Sequence, residues 1–424
     1  MPARTVVRRS GCPRCRSVLL SRSKRWCALR GSDRDLARIT LHPRRAPVPV
    51  NPPVSHPIYQ TAAWQFADLK QMDAIFGDAV AHGAKYGTIG MPNNLTLEAA
   101  ISDLEGMEAA VAGNTGMAVI AAALLTELRP GDRVVVSREG FGWTLGLLRD
   151  LEQWGIEHVT VDLSSTEELT AALRHGAAMV IAETISNPRL RVPNLPALTD
   201  LAHQFGAKVL VDNTFATPYS CQPAAFGADL VVESATKFLA GHADTVIGVL
   251  AGAAESVERI RDRMVRLGSI AAPMDSWLAL RGMQTLVVRM ARATTTASLL
   301  ADWLSEQPQV HRVLYPGRSD HPDHLIAQQV LEQGYGAMIS FELTPDFAVA
   351  NQFTRDLNLI HLVHSLGSAQ TTLSHPASST HRLLSAEDLA VSGLHAGFLR
   401  MSVGLESPDD LVDDLAQALG NLSA

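Results

Sequence analysis

From about residue 95, short apolar runs alternate with longer segments whose apolar residues return every three or four positions. The runs read as buried strands and the longer segments as amphipathic helices. Helical patterning covers residues 95–104, 116–124, 144–154, 166–174 and 198–205. Strand-like runs cover 132–136, 158–161, 178–181, 208–211 and 229–232. Strands that are apolar throughout, spaced by helices, predict an α/β domain built on a large, mixed but mostly parallel sheet. One long helix is predicted over 274–305. Helices mixed with strand-like pieces such as 337–341 then predict a smaller C-terminal α+β domain. Six prolines between Pro43 and Pro57 predict an extended arm, since proline suits neither helix nor sheet interiors. The expected organisation is a basic extension (1–34), an arm (35–90), a large domain (91–285) and a C-terminal domain (286–424).

Composition narrows the class. The chain has 424 residues, 46% hydrophobic and 19% charged, which suits a globular protein with a large core. No apolar run approaches the roughly 18 residues that span a bilayer, so no membrane partner is expected. A net charge of -7 argues against a nucleic-acid partner. The charge is uneven: residues 1–45 carry +11 and the remainder -18. The segment 1–34 is Arg- and Ser-rich, and it reads as a disordered tail or an upstream start more readily than as a transit peptide. Cys12, Cys15 and Cys27 lie there. Their single CxxC has no second half, so no metal site is expected. Cys221 is isolated, which gives no disulfide framework and suggests a reducing, cytoplasmic setting.

The chemistry concentrates at strand ends. Ser234-Ala235-Thr236-Lys237 follows the run 229–232, and Asp212 ends the run 208–211. Glu183 and Asn187 follow the run 178–181. A lysine that can form a Schiff base, hydroxyls that can hold a phosphate and a carboxylate at a strand end are what a pyridoxal phosphate enzyme requires. Asn114-Thr115-Gly116-Met117 opens a helix, whose free amides suit a phosphate.

These motifs, with Val211-Asp212-Asn213-Thr214-Phe215, Gly241-His242-Ala243-Asp244, Ser365-Leu366-Gly367, His375-Pro376-Ala377, Thr380-His381 and Arg400-Met401-Ser402, carry a resemblance. From about Pro57 to its end the chain resembles the Cys/Met-metabolism family of pyridoxal phosphate enzymes. That family includes cystathionine synthases and lyases, methionine γ-lyase and homoserine-ester sulfhydrylases. The resemblance implies a fold-type I (aspartate aminotransferase-like) enzyme with pyridoxal 5'-phosphate as cofactor and an amino acid as substrate. It implies that Lys237 carries the cofactor and then moves protons, and that Asp212 pairs with the ring nitrogen. Asn187 would bond the ring oxygen, with Glu183 as structural support. Gly116, Met117, Ser234 and Thr236 would hold the phosphate. Arg400, assisted by Ser365, would take the substrate carboxylate.

Two positions depart from the family pattern. Tyr86 lies in a segment that the family passes into the neighbouring subunit's site, which implies a homo-oligomer, a dimer of dimers, with shared sites. Two residues on, an arginine is usual and Thr88 stands here, implying weaker cofactor binding or a replacement cation from elsewhere. Phe141 takes the place of a tyrosine stacked on the cofactor. It keeps the ring face but loses the hydroxyl, shifting proton transfer onto Lys237 and Tyr86.

The reaction is less sharply written. Leu366 after Ser365, and the stretches 370–373 and 378–381, lean toward γ-elimination or γ-replacement on a sulfur-related amino acid, as in cystathionine γ-synthase or γ-lyase. O-acyl-homoserine sulfhydrylase and methionine γ-lyase are alternatives. His364 stands where several γ-enzymes have glutamate. Tyr86-Gly87 with Gly90 resembles the cystathionine β-lyase form of that segment. An aminotransferase would share Lys237 and Asp212 but not the 365–376 block. An impaired cofactor-binding homologue would explain Thr88 and Phe141.

Overall fold

The computed structural model describes residues 51–77, 83–379, 382 and 393–422. The extension 1–34, with Cys12, Cys15 and Cys27, lies outside the described residues, as do Thr380 and His381. The chain divides into two units, Met1–Ser55 and His56–Ala424; everything below concerns the second.

Two sheets organise that unit. The larger has seven strands: β1 (Ala109–Gly113), β2 (Arg133–Ser137), β3 (Glu157–Val161), β4 (Met179–Glu183), β5 (Lys208–Asp212), β6 (Leu230–Glu233) and β7 (Gly248–Gly252). Their order is β1-β7-β6-β5-β4-β2-β3, and only β7 runs against its neighbours. The mixed, mostly parallel sheet expected from the pattern is therefore present. Its central strands β2, β4, β5 and β6 have apolar, buried middles because both faces are covered, whereas the edge strand β3 alternates polar and apolar residues and is largely exposed or half-buried. Val135, Val180, Val209, Val211 and Val231 pack in one apolar cluster, whereas Val134, Val136, Ile181, Leu210 and Val232 pack in another. Consecutive residues thus enter opposite cores, as the two-residue period of a strand requires.

Strands β1 and β7 read AAVAG and GVLAG. Such small side chains have weak strand propensity, so no sequence pattern announces either of them.

The predicted helix over 274–305 is two helices, Pro273–Met283 and Leu286–Ser305. The Gly282 carbonyl takes the Thr285 amide (3.1 Å), the Thr285 hydroxyl (3.0 Å) and the Arg289 guanidinium (3.0 Å). Three donors on one carbonyl stop the regular helical ladder, and the chain turns there.

The smaller sheet has β8 (Arg312–Leu314), β9 (Met338–Glu342), β10 (His361–Leu362), β11 (Thr372–Ser374) and β12 (Phe398–Ser402), in the order β10-β11-β12-β9-β8. Ile339, Phe341, Leu373, Leu399 and Met401 face an apolar core shared with Leu300 and Leu304 of the helix Leu286–Ser305, and with Leu411 and Leu415 of the helix Pro408–Gly420. Among the described residues no helix is long and apolar enough to cross a membrane.

Candidate active site

In an open α/β sheet the carboxyl ends of the strands form the crevice where ligands bind. Here they carry a continuous set of polar contacts. Glu183 ends β4 and lies directly opposite Asp212, the last residue of β5. The Glu183 carboxyl accepts from the Phe141 amide through one oxygen and from the Asn187 amide (3.0 Å) through the other. One buried acid thereby fixes the turn after β2 and the turn after β4. Asn187 passes the chain on, since its Oδ1 accepts from Arg400 Nη1 at 2.6 Å. Arg400, on β12, also reaches the His364 carbonyl at 3.5 Å. The next residue, Ser365, accepts a hydrogen bond from Lys237 Nζ at 2.9 Å. Asp212 accepts from the Thr214 amide (3.0 Å), and the Thr214 hydroxyl accepts from the Ser234 amide (2.8 Å). These contacts gather Lys237, Asp212, Asn187, Phe141, Ser234 and Ser365 around the strand ends of the large sheet, beside Arg400 on β12.

A cradle adjoins this set. The helix Gly116–Glu127 begins after β1, and the Thr115 hydroxyl takes the Ala118 amide at 2.9 Å. That leaves the Gly116 and Met117 amides among the first-turn donors that helical geometry cannot satisfy internally. A Cβ on residue 116 would lie 3.2 Å from Ser234 Cβ, so glycine lets the helix start close against Ser234. The Thr236 hydroxyl has a different use. It donates to the Ile247 carbonyl (3.1 Å) and accepts from the Ile247 amide (2.9 Å). It would reach a phosphate only by exchanging the first of these bonds, whereas Ser234 and the two amides already face the cradle.

Tyr86 stands apart. It is 54% exposed, in a small bridge with Ala63 and Ile89, and among the described residues no hydrogen bond joins it to the site. Thr88 lies in the turn between Tyr86 and Ile89.

The electrostatics are uneven across this crevice. Burial, reinforced by the Arg400 charge, lowers the Lys237 pKa from the ordinary lysine value. Arg400 is 2% exposed; burial lowers its pKa to about 10, and its Nε has no hydrogen-bond partner. Among the described residues no carboxylate pairs with it. On the other side, burial raises the pKa of Asp212. Glu183 rises to about 8, through burial and then the neighbouring Asp212 charge, against the lowering effect of its two amide donors. One end therefore lacks an anion and the other lacks a cation.

Arg289, which the sequence reading did not single out, holds the lysine turn. It is 6% exposed in the helix Leu286–Ser305 and donates to the carbonyls of Phe238 (2.7 Å) and Leu239 (3.0 Å), just after Lys237. An arginine inside an apolar helical stripe was the available signal, together with Gly241. At φ +72°, a Cβ on Gly241 would fall 2.1 Å from Arg289 Nη1. Thr214 lies inside a recognised motif, yet its role of tying Asp212 to Ser234 was not expected. His375 serves the C-terminal sheet, with Nε2 2.9 Å from the Ala396 carbonyl and Nδ1 2.7 Å from Ser378 Oγ.

A model of the Cys/Met metabolism PLP-dependent enzyme family matches residues 39–420. The chain belongs to this family. Among its relatives, an L-methionine gamma-lyase of Fusobacterium nucleatum subsp. polymorphum is 39% identical, over 86% of this chain and 92% of the relative. A cystathionine beta-lyase of Lactococcus lactis subsp. cremoris is 37% identical, over 86% and 94%. The crystal structure of a cystathionine gamma synthase from Xanthomonas oryzae pv. oryzae, in complex with aminoacrylate and cysteine, superposes with a TM-score of 0.82. It is 34% identical and covers 87% of this chain and 93% of that one. The protein is therefore a fold-type I, PLP-dependent enzyme, as the sequence motifs implied.

The crevice fits the cofactor on its own evidence. Helix-start amides beside Ser234 suit a phosphate. A carboxyl whose pKa is raised by burial suits a protonated ring nitrogen. A half-buried amine of lowered pKa suits a carbonyl.

Proposed function

We propose that this enzyme catalyses γ-elimination or γ-replacement on a sulfur-related amino acid, in the manner of cystathionine γ-lyase and γ-synthase. The observation that carries the amino-acid reading is Arg400. A buried guanidinium with an idle Nε, next to Ser365 and Lys237, calls for a planar anion, and an α-carboxylate meets it bidentately. Lys237 would hold the cofactor through Nζ, and Asp212 would keep the ring nitrogen protonated. Asn187 would bond the ring oxygen while Phe141 covers a ring face. Gly116, Met117, Ser234 and, after bond exchange, Thr236 would take the phosphate. When bound, the cofactor supplies the electron sink that makes the substrate Cα–H acidic.

The remaining steps fall to side chains. Arg400 and Ser365 orient the carboxylate so that Cα faces Lys237. The amine, kept partly neutral by burial and by Arg400, would take the Cα proton, give it up again to the bound cofactor, and only then take a Cβ proton, whose bonding electron pair would expel the γ-substituent. The relatives named γ-lyase and γ-synthase support γ chemistry, as does Leu366 beside Ser365.

A second reading, cystathionine β-lyase, is supported by the relative of that name and by the Tyr86–Gly90 segment. The exposed Tyr86 supports a homo-oligomer in which the arm completes a neighbour's site, consistent with a dimer of dimers. Cys221, the one free cysteine among the described residues, is buried, which suits a cytoplasmic protein.

The deciding experiment incubates the holoenzyme with L-cystathionine and identifies the keto acid by mass spectrometry. 2-Oxobutyrate with cysteine is expected from γ-lyase action. Pyruvate with homocysteine would move the assignment to β-lyase. Neither product would direct the test to acylated homoserine with sulfide or cysteine, for a replacement enzyme.

A further inference from the structure

At the carboxyl ends of β5 and β6, next to the turns that carry Asn213 and Ser234, two acids meet that the chemistry above does not use. Glu105 ends the helix Pro92–Glu105 and Glu233 ends β6; each is 1% exposed. We propose that Glu105 and Glu233 carry one proton between them and act as positioning residues for Asp212. The inference rests on the reading of Asp212 as the partner of the cofactor's ring nitrogen.

The geometry argues for the shared proton. Glu105 and Glu233 interact with each other, and Glu105 Oε2 and both Glu233 oxygens are buried without a hydrogen-bond partner. Ionised carboxylates only accept, so one of these acids can satisfy the other only if it is protonated and donates. Glu105 Oε1 accepts from Asn213 Nδ2 at 3.0 Å. A shared proton satisfies the facing oxygens of both residues.

The geometry also shows what the pair positions. Asn213 directly follows Asp212 and is held on every side. Its Nδ2 also donates to the Cys221 carbonyl (2.9 Å), its Oδ1 accepts from the Thr184 hydroxyl (2.8 Å), and its amide donates to the Val232 carbonyl (2.8 Å). Thr184 in turn donates its amide to the Asp212 carbonyl at 3.0 Å. Glu233 directly precedes Ser234. The pair is thus one residue away from each of the two strand-end turns that build the site.

The charged surroundings favour a single negative charge. The groups facing the pair are Asp212, across from Glu233, and the Cys221 thiol, beside Glu105. Glu183 lies beyond Asp212, and Glu332 beyond Cys221. All are acidic. Burial, ahead of these neighbours, raises Glu105 to about 7 and Glu233 well above the ordinary carboxyl value. A doubly ionised pair would repel Asp212 and loosen Asn213.

The test uses Glu233→Gln, Glu233→Ala and Asp212→Asn in the holoenzyme. The amide of Glu233→Gln mimics a protonated carboxyl, because its nitrogen donates and its oxygen accepts. The infrared difference spectrum of wild type minus Glu233→Gln near neutral pH should show one protonated carboxyl C=O band. The PLP dissociation constant of Glu233→Gln should stay within about twofold of wild type, whereas Glu233→Ala, which strands Glu105, should raise it roughly tenfold. Absence of the band, or a Gln variant as weak as the Ala variant, would overturn the shared proton. An Ala variant that folds and binds PLP normally would overturn the positioning role. If Asp212→Asn leaves PLP affinity and absorbance unchanged, the reading of Asp212 itself fails, and the infrared band still reports on the pair.

Discussion

Two buried arginines, Arg289 and Arg400, have the same charge, nearly the same burial and pKa values lowered to about 10 by desolvation. They are used in opposite ways. Arg289 is saturated: Nη1 bonds Phe238, Nη2 bonds Leu239 and Gly282, and Nε bonds the Thr285 hydroxyl at 3.0 Å. Carbonyl dipoles solvate it in place of water, and an anion would have to displace them. Arg400 has one short bond to Asn187, one long bond to His364 and an unused Nε. The contrast separates a cation that organises backbone from one that awaits a ligand. Unmet hydrogen-bonding capacity, more than charge or burial, marks the recognition site.

The largest effect should come from the saturated arginine. Arg289→Met removes four hydrogen bonds and takes the described partner from the Phe238 and Leu239 carbonyls at the Lys237 turn, so a stability loss of about 3–5 kcal/mol is expected. Thermal unfolding of the cofactor-free protein measures it. Arg400→Met exchanges a poorly satisfied cation for an apolar side chain of similar length. Its stability should change by less than about 1 kcal/mol, while kcat/KM should fall by roughly 30- to 1000-fold, equivalent to about 2–4 kcal/mol of lost carboxylate binding. Equal destabilisation by both substitutions would abolish the distinction drawn here.

How far each arginine was legible follows from where its partners lie. Arg400 sits in a recognisable motif on a strand, between apolar neighbours, and its role could be expected. The strand-end acids and Lys237 were legible for the same reason, since polar residues closing apolar runs stand out locally. Arg289 acts on carbonyls of residues 238, 239 and 282, and backbone carbonyls carry no sequence identity. The same limit hid the break at Gln284, which depends on side chains capturing the Gly282 carbonyl. It hid the Thr236–Ile247 exchange as well. Strands β1 and β7, made of alanine, glycine and two or fewer larger residues, were hidden by composition.

A smaller effect tests the opposite end of the site, where the phosphate would be held by neutral groups. Thr88 stands in the turn beyond Tyr86. In the assembled enzyme, Thr88→Arg should add a bidentate charged contact and tighten PLP binding by about fivefold, or ~1 kcal/mol. Equilibrium titration of the cofactor-free enzyme reads it directly. No change, or weaker binding, would mean that the arm does not reach a phosphate, and the shared-site reading of Tyr86 would fall with it.

The smallest effect concerns the end of the crevice that lacks a cation. Glu183 is raised from the ordinary carboxyl value of 4.5 to about 8 in the folded chain. A folded-state pKa above the unfolded one means that the folded protein binds more protons in between. Its contribution to stability is therefore complete below pH 4.5 and is lost as pH rises through about 8. The cofactor-free protein should accordingly melt at progressively lower temperature as pH increases across that window. Glu183→Gln keeps a carbonyl for only one of the Phe141 and Asn187 amides, so it should melt lower than wild type at acid pH. It cannot ionise, however, and its melting curve should be flatter with pH. A variant as steep as wild type would place the titration on another of the strand-end acids. Saturating wild type with PLP should flatten the profile too, because a ring cation beside Asp212 favours the ionised carboxyls that rising pH creates. Arg400→Met, at the other end of the crevice, should leave that flattening intact, since the two ends recognise opposite charges.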